Sequence, residues 1–270
     1  MARRRIQNVL RKEWVVTFTD LNSTLLVTLL PLLIVGQVVL VIWLVTDLGG
    51  ESIATNPALA GSLARLNAAL PVTVSLPPVD QLLVMLLSQF NFYLLLIPTM
   101  IAISFATFSI VDEKTSGSLE PLLATPVRTW ELLLGKALAG AVPALVVTWV
   151  CAGIFLLAVV GLGWGHLLSM VLTTSWFFSL FLLTPVVAVL SFLLGIIGSS
   201  RAKDAKGAQN IAVVIILPVL ALIGIQIGGV VWFTAIPTLV LAVAIGALDL
   251  LVLRLATSLF QRESIVVRWR

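Results

Sequence analysis

Long apolar stretches without a charged residue make up most of the chain, and short polar segments separate them. A helix needs about 20 apolar residues to cross the hydrocarbon core of a bilayer, and every stretch reaches that length. Two stretches are long enough for two crossings, and each contains a glycine cluster, at 161–165 and at 228–229, where the backbone can reverse. The pattern therefore predicts an all-α polytopic membrane protein with six transmembrane helices. The predicted spans cover about residues 22–46, 82–110, 137–160, 170–198, 210–228 and 232–254.

Every predicted span contains one proline. These residues are Pro31, Pro98, Pro143, Pro185, Pro218 and Pro237. Proline has no backbone N–H and its ring crowds the carbonyl four residues earlier, so it kinks a helix. Kinked spans are therefore expected, because neighbouring helices in a membrane can supply the missing hydrogen bonds.

The first 20 residues have the pattern of an amphipathic helix on the membrane surface. Its apolar positions recur at four-residue steps and are Ile6, Leu10, Trp14 and Phe18. At about 100° per residue, Glu13 falls on the same apolar side. Its carboxylate either extends past the apolar face to water or forms a specific salt bridge within the protein, and the sequence leaves both open.

The loop between the first two spans, residues 47–80, is predicted to lie on the outer side of the membrane. Asn56 can cap a helix in which Pro57 takes the first position, where no N–H is needed. Leucines follow at helical spacing and predict a short interfacial helix. The loop is too small for an independent outer domain, so function is expected in the membrane and on the inner face.

The loop between spans two and three, residues 112–136, is the longest charged segment on the predicted inner side. Thr125 and Pro126 mark a corner between two short helices, since a residue before proline avoids the α conformation and proline suits a first helical turn. The apolar stripe of this loop consists of Leu119, Leu122, Leu123, Val127, Trp130 and Leu133. It is flanked by Glu113, Glu120, Arg128 and Glu131. From the residues alone, the stripe fits the bilayer surface and the groove of a partner protein equally well.

Composition and charge support a membrane location. Of the 270 residues, 60% are hydrophobic and 10% charged, against roughly a quarter charged in soluble domains. With both termini inside, every Lys and Arg except Arg65 lies in a cytoplasmic segment, as the positive-inside rule requires. The basic residues are dispersed at the ends of spans, which argues against a nucleic-acid partner. A multi-pass protein of the plasma or bacterial inner membrane is expected.

The chain lacks the residue sets of an enzyme. It has one cysteine, Cys151, and one histidine, His166, which is a poor metal site without acidic or thiol neighbours. Gly135 and Lys136 do not form a P-loop, because Ala137 replaces the hydroxyl residue that would hold magnesium. We therefore expect no catalysis, metal or cofactor in this chain.

The inner loop resembles the signature of the ABC type-2 transporter permease family, the membrane subunits of ABC exporters. The matching residues are Glu113, Gly117, Glu120, Leu122, Leu123, Pro126, Glu131, Leu132, Leu133, Gly135 and Lys136. The resemblance extends to an N-terminal interfacial helix with Lys12, Glu13 and Trp14, and to the order of six spans. It implies that the loop contains a coupling helix that seats in a cleft of a separate ATPase. The residues it assigns to docking are Glu113, Gly117, Leu119, Glu120, Leu122, Leu123, Pro126, Trp130 and Glu131.

The resemblance implies a permease subunit of an ATP-driven exporter, with ATP and Mg bound by the partner. Two ATPase copies and a second permease copy or a sister permease are expected. The alternative is a secondary transporter without an ATPase, which would usually need charges within the membrane for ion coupling. Residues 224–240 fit a tight turn or a re-entrant hairpin between spans five and six. Substrate identity is not predicted, although four polar residues could line a path: Gln37, Gln89, Asn91 and Gln226.

Overall fold

A computed structural model describes residues 2–19, 21–115, 129–201, 205–227 and 234–259, and within these ranges it contains helices and no strand. The α-helices are α1 (Ala2–Thr19), α2 (Leu21–Leu44), α3 (Gly50–Ala54), α4 (Pro57–Ala69), α5 (Pro78–Tyr93), α6 (Leu96–Thr115), α7 (Thr129–Gly161), α8 (Leu168–Val171), α9 (Thr174–Phe178), α10 (Thr184–Arg201), α11 (Ala205–Ile227) and α12 (Ala235–Leu259). Short π-helical segments at Val45–Gly49 and Ser179–Leu183 and 3₁₀ turns at Pro71–Ser75 and Trp164–Leu167 connect some of them.

Among the described residues, five helical stretches are long and apolar enough to cross a membrane. They are Val27–Ala54, Pro78–Ala106, Trp130–Gly161, Thr174–Ser199 and Ala235–Ser258. The sixth predicted span, 210–228, coincides with the continuous helix α11, which is not one of these five. The helical, multi-pass architecture is therefore confirmed, while the count of six spans stays a prediction.

Two of the predicted proline positions coincide with interruptions of a span. A turn at residues 94–95 separates α5 from α6, and Pro98 removes the N–H that would bond the carbonyl of Leu94 in a continuous helix. The π-helical segment Ser179–Leu183 directly precedes α10, in which Pro185 is the second residue. By contrast, the helices around Pro31, Pro143 and Pro218 continue through the proline.

The second span is the centre of the bundle. Of its apolar window, 76% is buried within the chain, whereas the first and last spans are 22% buried. Phe90 of α5 stacks on Phe155 of α7 with ring centroids 3.6 Å apart. At Gly195, an added Cβ would lie 2.7 Å from the Cβ of Ala106, so glycine allows α6 and α10 to approach closely. The first and last spans keep broad faces for lipid or another subunit.

The segment 47–80 is folded onto one end of this bundle. Asn56 Oδ1 accepts a hydrogen bond from the N–H of Ala58 at 2.9 Å, which confirms the predicted cap of α4. Leu66 of α4 is fully buried, and Thr73 is buried with its hydroxyl donating to Asn67 Oδ1 at 2.7 Å. The segment is therefore a packed cap over the ends of the first two spans.

Candidate functional site at the junction of the N-terminal helix and the third span

Helix α7 begins at Thr129, eight residues before the predicted start of the third span. The end of the inner loop and the span are therefore one helix of 33 residues, about 50 Å long. Trp130, Glu131, Gly135 and Lys136, which the sequence assigned to the loop, lie in its first turns. A displacement of this end of the loop is consequently a displacement of the span itself.

The N-terminal helix α1 packs along the first turns of α7, and we call this contact the N-terminal junction. At its centre, Lys136 Nζ lies 3.0 Å from Glu13 Oε1, and the two side chains are 2% and 11% exposed. Lys12 Nζ lies 3.5 Å from the same oxygen. Glu13 thus has a specific partner in the protein, which decides between the two alternatives that the sequence left open. Both ions are shielded from water, and breaking a buried pair costs about 3–5 kcal/mol. Loss of Glu13 removes the carboxylate that both lysines contact, whereas loss of Lys136 leaves Lys12 beside Glu13.

A second ion pair joins the same two helices. Arg5 Nη1 lies 3.4 Å from Glu131 Oε2, and the Glu131 side chain is 4% exposed. The two helices run in the same direction, because Arg5 meets Glu131 and Glu13 meets Lys136. The pairs have opposite polarity, so reversing one helix would place the two cations together and the two carboxylates together. The charges therefore specify the orientation of α1 on α7.

Gly135 lets the two helices come into contact between these pairs. A Cβ at this position would lie 3.0 Å from Cβ and Cγ1 of Val9 and 3.3 Å from the carbonyl oxygen of Ile6. Such distances are shorter than ordinary van der Waals contact, so any larger residue must push α1 away. The glycine is therefore a packing requirement of the N-terminal junction.

Trp14 completes the junction by compensating for a proline. The indole Nε1–H of Trp14 donates to the carbonyl oxygen of Ala139 at 2.9 Å. In a regular helix this carbonyl would accept the N–H of residue 143, but Pro143 has none. The N-terminal helix therefore supplies the hydrogen bond that the proline removes from the third span.

The predicted docking residues are distributed as follows. Gly117, Leu119, Glu120, Leu122, Leu123 and Pro126 lie outside the described residues. Glu113 is in the last turn of α6. Trp130 is 40% exposed, whereas Glu131 is buried against α1. Of the predicted docking residues with described side chains, Trp130 is thus on the surface and Glu131 takes part in the N-terminal junction.

Of the four polar residues predicted to line a path, two share a cavity. Gln37 of α2 and Gln89 of α5 line a cavity of about 470 Å³ between the first two spans. Asn91 is buried outside that lining, and its Oδ1 has no hydrogen-bond partner among the residues that the structure describes. Gln226 is in α11, and its side chain is outside the described set. Within the described residues, no group of three metal-ligating side chains occurs.

Sequence reasoning did not pair the residues of the N-terminal junction. Glu13 on an apolar face was a signal that a partner was needed, but Lys136 is 123 positions away and was assigned to the loop signature. Pro143 likewise indicated an orphaned carbonyl at Ala139, and nothing in the local pattern pointed to Trp14 as its donor. The partners became identifiable only when α1 was placed on α7.

Comparison with known families adds one finding. The family model described as ABC-2 family transporter protein matches residues 7–239. The match begins inside α1 and ends inside α12, so it includes both helices of the N-terminal junction. No curated protein matches the chain.

Proposed function

The chain belongs to the ABC-2 transporter family and is a membrane permease of an ABC transporter, and we propose that it couples an exported substrate to ATP hydrolysis in a separate subunit. Two ATPase copies and a second permease, identical or a sister chain, complete the proposed transporter. The proposed location is the plasma or bacterial inner membrane, with both termini in the cytoplasm. ATP and Mg belong to the partner in this proposal.

The proposal rests mainly on one observation. The end of the inner loop is continuous with the third span, and it packs against α1. In the proposed mechanism, closure of the ATPase dimer displaces the docking loop, and α7, which is one continuous helix from Thr129, moves with it. The ion pairs Glu13–Lys136 and Arg5–Glu131 support transfer of that motion to α1. Because α1 ends at Thr19 and α2 begins at Leu21, the first span follows. The N-terminal junction thus makes the first and third spans respond together.

The test first looks for an open reading frame with a P-loop beside the gene, and then co-expresses that ATPase with the full chain. Leu123→Arg places a cation on the apolar stripe of the loop, where an ATPase cleft would have to bury it unpaired, and Glu120→Arg reverses a charge that flanks the stripe. We expect the ATPase to be lost from the purified complex, or its hydrolysis to lose dependence on the permease. Val72→Arg is the matched control, because Val72 is 64% exposed at the opposite end of the bundle.

The result has a clear contrary outcome. If Glu120→Arg and Leu123→Arg retain the ATPase and its coupled hydrolysis as Val72→Arg does, the loop does not dock an ATPase. The proposed function would then lose its mechanical basis, although the family membership would stand.

A further inference from the structure

The cavity between α2 and α5 has the size of a small-molecule site. Its volume of about 470 Å³ lies within the range of roughly 300–1,000 Å³ that ligand pockets occupy. One wall of the cavity consists of Ile34 and Val38 of α2 with Val45 of the adjoining π-helical segment. Leu82 and Met85 of α5 form the other wall. Side chains from α3 and α4, in the segment 47–80, close one end. The cavity is therefore next to the packed cap and away from the N-terminal junction.

The lining selects against charge. Among the described lining residues there is no Asp, Glu, Lys, Arg or His, and the polar side chains are Gln37, Gln89 and Tyr93. An ion placed here would lose its hydration without gaining a partner of opposite charge. The occupant must therefore be uncharged and mainly apolar over the part that enters.

One buried atom in this wall lacks a partner. Gln89 is 5% exposed, and its Oε1 has no hydrogen bond in the described structure. A buried amide oxygen without a donor is costly, and native proteins rarely leave one unsatisfied. A ligand hydroxyl or N–H that donated to Gln89 Oε1 would remove that cost, so the cavity offers a polar anchor as well as an apolar enclosure.

Access comes from the surface of the first span. Gln37 and Val41 line the cavity and are exposed, and Val41 is 50% exposed. The first span keeps most of its surface uncovered, so in a bilayer this opening faces the acyl-chain region. A molecule already dissolved in the membrane can enter without crossing water.

We propose that this cavity binds an uncharged, lipid-like amphiphile with one long chain, whose hydroxyl or N–H donates a hydrogen bond to Gln89 and whose chain packs between α2 and α5. We assign molecules of this kind to the exporter as its class of substrate. This assignment of substrate class rests on the proposed function, whereas binding in the cavity does not.

The probe is a long-chain alcohol with a diazirine in its chain, and its methyl ether is the matched analogue without a donor. The full-length chain is reconstituted in phosphatidylcholine vesicles, irradiated with either probe, and the labelled peptides are mapped. We expect the alcohol to label α2 and α5. Gln89→Leu should raise the half-saturating concentration of the alcohol about threefold to tenfold, the range for one hydrogen bond, and leave the ether unchanged.

Two tryptophan variants separate the cavity from the bilayer surface. Met85→Trp adds an indole ring to the cavity wall and narrows the space between α2 and α5, so saturable labelling by both probes should fall. Leu157→Trp adds the same side chain on a face that is 73% exposed and does not line the cavity, so labelling should stay as in the wild type. If Met85→Trp fails to fold, the comparison of the two probes on Gln89→Leu remains a complete test.

Three outcomes would overturn the proposal. Equal labelling by alcohol and ether in both wild type and Gln89→Leu would show that the alcohol forms no hydrogen bond with Gln89. Labelling spread over exposed positions such as Leu157 would show only contact with the bilayer. Efficient disulfide cross-linking between chains carrying Gln37→Cys and Cys151→Ala would show that a second permease copy covers the opening.

Whether the exporter accepts the probe as a substrate is tested separately, by measuring ATP hydrolysis in vesicles that contain the permease and the ATPase. Stimulation of hydrolysis by the alcohol in the wild type, and its loss in Met85→Trp, would support the substrate assignment. Mapped binding without stimulation, in a complex that still couples, would overturn the substrate class and leave the proposed function intact. Loss of coupling in all complexes, with binding retained, would instead overturn the proposed function.

Discussion

Replacing either member of the Glu13–Lys136 pair tests the N-terminal junction most directly. The two groups are 3.0 Å apart with side chains 11% and 2% exposed, so a single replacement leaves an ion in a site built for a pair. Breaking a buried pair costs about 3–5 kcal/mol, and each 1.4 kcal/mol is a factor of about ten. Glu13→Met should therefore increase the separated population of α1 by up to roughly two to three orders of magnitude. Lys136→Met should increase it less, because Lys12 stays 3.5 Å from Glu13.

Cysteine labelling measures that population. Val9→Cys, in a chain with Cys151→Ala, places a thiol against Gly135, where it is half-buried while α1 is packed on α7. Its maleimide labelling rate follows the fraction of molecules in which this contact has opened. We expect each single variant to raise the rate at least tenfold. The double variant should return most of the way to the wild-type rate, because apolar side chains on both helices leave no buried charge.

The control is Arg254→Met, which removes an exposed cation from the last span and should leave the labelling rate unchanged. If Lys136→Met and Glu13→Met label within twofold of the wild-type rate, as Arg254→Met should, the buried ion pair does not hold α1 on α7. A double variant no better than the worse single variant would also contradict the prediction, because the cost would then arise from packing and not from an uncompensated charge.

Two further predictions concern the same junction. Trp14→Phe keeps an aromatic ring but leaves the carbonyl of Ala139 without its donor, which should destabilise the junction by about 1–3 kcal/mol. A thermal aggregation assay would show this as a lower transition temperature. Trp130→Phe, at a 40% exposed position, is the control and should have little effect. Equal shifts in the two variants would contradict the role of Trp14. Gly135→Val should weaken the packing of α1 on α7. Adding Val9→Ala should restore part of the lost stability, because it removes Cγ1 of Val9, one of the two carbon atoms nearest to a Cβ at position 135. No restoration would mean that the backbone of α1, not the Val9 side chain, sets the limit.

The local parts of the fold were predictable because their causes are local. The bilayer requires an uninterrupted apolar length for each crossing, and that length can be read from the chain. Asn56 before Pro57 predicted a helix start, since a side-chain acceptor and a missing N–H suit those two positions wherever they occur. The corner assigned to Thr125 and Pro126 is a prediction of the same kind, and it lies outside the described residues.

Other features depend on elements that are distant in the chain. Helix α7 starts at Thr129, so Glu131, Gly135 and Lys136 lie at the base of a span and not in a loop. The sequence prediction started this span only after the last charged residue, Lys136. The helix is interrupted at 94–95, one turn before Pro98, yet the helix around Pro143 continues, with Trp14 of α1 as the donor to the freed carbonyl. Whether a proline interrupts a helix thus depended on the neighbouring element.

The sequence by itself determined that this is a helical, multi-pass membrane protein, and its inner loop and N-terminal helix led to the transporter family that the comparison confirmed. Span length, capping and charge asymmetry act over a few residues, so composition and spacing carry them. Only the tertiary structure decided that Glu13 pairs with Lys136, that α1 is locked to the third span, and that Gln37 and Gln89 share a cavity. Those facts depend on which helices become neighbours, and helix packing is a property of the whole chain.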